Sequence, residues 1–211
     1  MKDLVLYVHG KGGSASEAAF YRPLFPACEV LGLDYAAKTP WEAEAEFHAA
    51  AERLRGGFGQ ITLVANSIGA YFCMCAGLDA FLHRAYFISP VVDMERMIMD
   101  MMRLAGVTEA ELREKGEIAV PFGEPLSWQY LQYVRSHSIR WNVPTEILYG
   151  EKDALMPMDT VKAFADTHAV GLTVMKNGEH WFHTDEQMRF LAAWLLRCET
   201  GPGNPETNPG G

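Results

Sequence analysis

The chain has 211 residues, of which 49% are hydrophobic and 21% charged, with a formal net charge of −9. This composition excludes a disordered or collagen-like chain and suits one domain with a sizeable core. The acidic balance, without any long basic run, argues against a nucleic-acid partner, because phosphate binding needs clustered Lys and Arg.

Leu4-Val5-Leu6-Tyr7-Val8 is a continuous apolar run ended by His9-Gly10, and it reads as a strand buried on both faces. It is too short for a signal peptide, and no run of 18 apolar residues predicts a transmembrane helix, so a cytoplasmic protein without a membrane partner is expected. A glycine-rich turn (Gly10-Lys11-Gly12-Gly13) leads to a short helix near 16–22, capped by Ser14 or Ser16. Residues 29–33 form a second strand, and a helix over 41–55 starts after Pro40 and stops at Gly56-Gly57. Further strands are expected at 61–65, 86–88, 144–149 and 172–175, with helices at 67–77, 157–168 and 182–198 between and after them. Alternation of this kind predicts a parallel α/β sheet. The segment 91–143 breaks the rhythm: it holds helices near 94–104, 108–115 and 127–137 and no convincing strand. Residues 199–211 are rich in Gly, Pro, Asn, Thr and Glu and read as a disordered tail. The four cysteines (28, 73, 75 and 198) have no metal-ligand spacing and read as free thiols, so neither a metal nor a cofactor is expected.

The strongest local signal is Ile61 to Ala65 followed by Asn66-Ser67-Ile68-Gly69: an apolar strand, a small-x-Ser-x-Gly turn and a helix. Such a turn exposes the serine hydroxyl at the helix's positive end, although a serine there can also simply cap the helix. A serine nucleophile needs an imidazole to take its proton and a carboxylate to orient the imidazole. Gly150-Glu151-Lys152-Asp153 follows the fifth strand, and Gly178-Glu179-His180 follows the sixth. An acid and a histidine therefore lie at strand C-terminal ends beside the serine, where open α/β sheets bind ligands.

Over residues 3–197 the chain resembles the α/β-hydrolases, on His9-Gly10-Lys11-Gly12-Gly13-Ser14, Asn66-Ser67-Ile68-Gly69, Gly150-Glu151-Lys152-Asp153 and Gly178-Glu179-His180. The resemblance implies a three-layer α/β/α sandwich with about six mostly parallel strands and a helical lid at about 91–143. The usual first two strands would be missing. It implies Ser67 as nucleophile, His180 as base and Asp153 as orienting acid. Backbone N–H groups of Lys11 and Ile68 would form the oxyanion hole, with His9 bonding within its loop. Asp93, after the fourth strand, is the rival acid, and His183 the rival base. The expected partner is a small or medium apolar ester, cleaved through an acyl-enzyme. Thioesterase, lactonase or aminopeptidase chemistry and a non-catalytic binding protein are the alternatives. Met94, Ile98, Met102, Trp128 and Tyr133 of the lid, with Trp181, are the expected substrate pocket, although helical Met residues also pack as core. Gly10-x-Gly12-x-x-Ala15 with Asp34 also fits a dinucleotide-binding fingerprint, but that reading leaves Ser67, Asp153 and His180 without a role.

Overall fold

The computed structural model describes residues 1–201. Its six main strands are β1 (Leu4–Val8), β2 (Glu29–Gly32), β3 (Ile61–Asn66), β4 (Arg84–Ile88), β7 (Thr145–Gly150) and β8 (Gly171–Met175). They form one sheet in the order β2-β1-β3-β4-β7-β8, every pair parallel. A parallel sheet needs cover on both faces, which is why its central strands are unbroken apolar runs rather than alternating ones. In β1 every residue is buried.

On one face lie α1 (Pro40–Leu54), α2 (Ile68–Cys75) and α6 (Met158–His168), with core residues such as Phe47, Phe72, Phe87 and Val161. The other face is covered by a 3-10 helix at Ala15–Phe20 and by α7 (Asp185–Thr200), which bury Tyr21, Ile88, Leu191 and Trp194. Thr39 begins α1 with a capping box, its hydroxyl accepting the Glu42 N–H, and Pro40 occupies the first turn, where no donor is needed. The short helix after β1 is 3-10 rather than α, so the regular helix start that a dinucleotide-binding turn requires is not formed.

The 91–143 segment contains α3 (Met94–Ala105), α4 (Glu109–Lys115) and α5 (Trp128–Ser136). Contrary to the sequence expectation it also contains a ribbon of two antiparallel strands, β5 (Glu117–Ile118) and β6 (Leu126–Ser127). Strands of two residues are too short to show a period, which explains why pattern alone misses them. The last helix likewise runs past its expected end at 198. Glu199 bonds to Tyr86 and Arg84 of β4, and the Thr200 hydroxyl donates to Leu196 O at 2.7 Å. The expected tail therefore does not begin at 199, and its remainder, 202–211, lies outside the described residues. Among the described residues no helix is long and apolar enough to cross a membrane.

Candidate active site

Strand order reverses at β1 and β3: β2 lies on one side of β1, and β4, β7 and β8 follow on the other side of β3. A crevice opens at such a switch point, outside the carboxyl ends of the strands. Val8 pairs with Ala65, so His9-Gly10-Lys11, which follow β1, emerge beside Asn66, the last residue of β3, and Ser67, which follows it.

Ser67 has φ 51° and ψ −121°, a conformation costing on the order of 1–3 kcal/mol for a residue with a Cβ. Strand and helix hold it there. Its N–H donates to Ile88 O at 3.0 Å, and its carbonyl accepts from Ala70 and Val91. Gly69 permits the crossing, since a Cβ at 69 would stand 2.3 Å from His9 O. The small residue two places after the serine is thus demanded by the backbone of the neighbouring loop.

The Ser67 hydroxyl lies 2.8 Å from His180 Nε2, and His180 Nδ1 lies 2.7 Å from Asp153 Oδ2. With Nδ1–H donating to the carboxylate, Nε2 is left to accept the serine proton. Asp153 is buried, and its second oxygen accepts the N–H groups of Leu155 (2.8 Å) and Met156 (3.2 Å). Its own turn is closed by Asp153 N–H to Gly150 O at 2.9 Å. The acid and histidine loops touch directly: a Cβ at Gly150 would stand 2.5 Å from Glu179 O, and Lys152 N–H donates to Gly178 O at 2.7 Å. The structure therefore brings Ser67, Asp153 and His180 together and leaves the rivals elsewhere. Asp93 caps α3 by accepting the Arg96 N–H, and His183 Nδ1–H donates to Trp181 O. Glu151 accepts the Asn177 N–H, tying the acid loop to the histidine loop.

Of the two expected oxyanion donors, Ile68 is the first residue of α2, where helix geometry leaves N–H groups unpaired. The Lys11 N–H has no acceptor among the described residues. The loop holding it is braced by His9, whose Nδ1–H donates to Gly10 O at 2.8 Å and whose ring stacks on Tyr35. Glu17 is a brace that the motifs did not reveal: one carboxylate oxygen accepts the Ser14 N–H and the other the Tyr7 O–H. Ser14-x-x-Glu17 was the available signal, as a capping-box spacing. Lys11 Nζ also pairs with Glu124 at 2.9 Å, so the loop between β5 and β6 reaches the loop after β1. Both side chains are more than half exposed, so this pair adds little stability.

The expected pocket residues do not share one place. Met94, Ile98 and Met102 are buried at 5%, 6% and 2% exposure, joined to the core on the α1/α2 face. Spaced four apart, they form one stripe of α3 and pack inward. Trp128 packs against the same core, and Tyr133 lies against Trp41 of α1. Tyr133 lines a cavity with Cys75 and His137, on the α1/α2 side. Trp181 alone of the six lines a cavity formed by neighbours of the triad, together with Tyr7, Glu17 and Asn66. Among the described residues no group of three His, Cys, Asp or Glu side chains is arranged to hold a metal ion.

No family model and no curated protein sequence matches this chain. Solved structures do match it. Est1E from Butyrivibrio proteoclasticus is 14% identical with a TM-score of 0.73, covering 93% of this chain and 86% of that one. Alpha/beta hydrolase domain-containing protein 10 from mouse is 15% identical with a TM-score of 0.72, covering 91% and 87%. The monoacylglycerol lipase of Paleococcus ferrophilus is 16% identical with a TM-score of 0.61, covering 92% and 93%. The chain has the α/β-hydrolase fold.

Proposed function

We propose that this chain is a serine hydrolase that cleaves a small or medium apolar ester. The observation that carries the reading is the continuous hydrogen-bond chain from Ser67 through His180 to the buried Asp153. Ser67 Oγ attacks the ester carbonyl as His180 Nε2 takes its proton, and Asp153 stabilises the imidazolium that forms. The N–H groups of Lys11 and Ile68 receive the developing oxyanion. His180 then returns the proton to the departing alcohol oxygen, leaving an acyl-Ser67. Water, deprotonated by the same histidine, releases the acid. A monoacylglycerol lipase among the structural neighbours supports an ester over an amide, since its name describes ester cleavage on this fold.

A fluorophosphonate probe tests the reading. Labelling that requires both Ser67 and His180, with turnover of p-nitrophenyl esters, is the expected result. A folded protein that takes no label and turns over no ester would be a binding protein in which Ser67 only caps α2. If thioesters, lactones or aminoacyl amides react faster than any ester, the triad stands and the substrate class changes.

A further inference from the structure

The cavity formed by neighbours of the triad has a volume of about 310 Å³, room for about ten waters at ~30 Å³ each. That is sufficient for a short alkyl chain or one aromatic ring. It lies on the α7 face of the sheet, opposite the 91–143 segment. Its floor is apolar and buried: Ile88, Leu191 and Phe182 are at 1%, 2% and 6% exposure. Tyr7 and Asn66 also reach it, but the Tyr7 hydroxyl is already bonded to Glu17. The floor therefore offers rings and aliphatic groups more than free polar atoms. The rim carries Trp181, 68% exposed, and the carboxylate of Glu17.

We infer that this pocket receives the alcohol arm of the ester and selects compact, uncharged alkyl or aryl groups; the inference rests on the serine-hydrolase reading. The path of the proton fixes where the alcohol must lie. When Ser67 Oγ bonds to the carbonyl carbon, the carbon–alcohol bond breaks and the departing oxygen takes the proton held on His180 Nε2. That oxygen must therefore lie on the histidine side, while the carbonyl oxygen points to Lys11 and Ile68. Trp181, Phe182 and His183, which follow His180 directly, form a wall of this pocket. The residue before the nucleophile, Asn66, forms another part. An arm leaving past the histidine thus meets an apolar floor. A carboxylated arm meets Glu17 at the rim and is repelled.

The test uses butanoate esters, which share one acyl-enzyme and differ only in the alcohol. Ethanol, 2-phenylethanol and 2-(4-carboxyphenyl)ethanol are the three arms. The expected kcat/KM for the phenylethyl ester exceeds that of the ethyl ester at least about tenfold, as for an aryl group that gains a pocket. The carboxylated ester falls to the ethyl level or below. Met188→Trp, which fills the pocket from α7, brings the phenylethyl-to-ethyl ratio towards one. Trp181→Ala, on an exposed loop side chain, lowers the ratio severalfold and provides the answer if the first variant does not fold. A wild-type ratio within about twofold of one, or a ratio indifferent to both variants, overturns the inference. The hydrolase reading survives that outcome if fluorophosphonate still labels Ser67 and the esters are still cleaved. Absence of both labelling and cleavage overturns the two together.

Discussion

The two faces of the sheet flank the candidate site differently. On the α7 face, a pocket with an apolar floor opens among the residues next to Ser67 and His180. On the other face, the 91–143 segment touches the loop after β1 through the Lys11–Glu124 pair, but its bulky α3 side chains turn inward and join the main core. An insertion expected to be a lid is thus anchored like a structural layer. One face thus leaves a cavity near Ser67 and His180 and the other is filled by core, with the Ser67–His180–Asp153 hydrogen-bond chain between them.

The largest expected effect falls on that hydrogen-bond chain. Ser67→Ala should lower kcat on the order of a millionfold while the protein stays folded. Asp153→Asn should cost about 10⁴-fold, because the wrong histidine tautomer is then favoured. A full rate in either variant breaks the assignment.

The next effect separates the faces. Met102→Ala, at 2% exposure, should cost about 2–5 kcal/mol in denaturant unfolding, whereas Leu104→Ala, at 72% exposure on the same helix, should stay within about 0.5 kcal/mol. If Met102→Ala instead changed ester selectivity and left stability intact, the inward stripe of α3 would be a binding surface after all.

A smaller effect concerns backbone strain at the elbow. Ser67→Gly should be more stable than Ser67→Ala by about 1 kcal/mol in thermal unfolding, because glycine accepts φ 51° and alanine does not. Equal stabilities would mean that the turn relaxes when the hydroxyl is removed.

The smallest effect is chemical and probes the packing beneath the insertion. Burial pushes the Cys75 thiol up to about 11. Its alkylation rate should therefore still be rising tenfold per pH unit between pH 8 and 10. A rate that levels off near pH 8.5, the ordinary thiol value, would show that the insertion lifts away and exposes α2.

Much of this arrangement was legible in the residues. The apolar, β-branched runs at Leu4–Val8 and Ile61–Asn66 can be satisfied only by a sheet buried on both faces. The candidate triad was legible because its three members are punctuated by backbone demands: Gly69 beside the serine, Gly150 before the acid and Gly178 before the histidine. Each of these glycines packs against a neighbouring strand or loop. The helix end at Thr200 was not legible, because Glu199 is held by β4, more than a hundred residues away in the chain. The β5–β6 ribbon was too short to carry a period.

The direction in which the residues of the 91–143 segment point was also out of reach of pattern reading. Met94, Ile98 and Met102 satisfy the spacing of a core stripe and the composition of a pocket equally well. Only the packing of α3 against α5, β6 and the main core decides between them. The sequence by itself therefore determined the fold class and the order Ser67, Asp153, His180, because strand burial and tight-turn sterics are local and leave few residue choices. The tertiary structure alone decided which face has room beside the triad, since a cavity is a property of how separate elements pack.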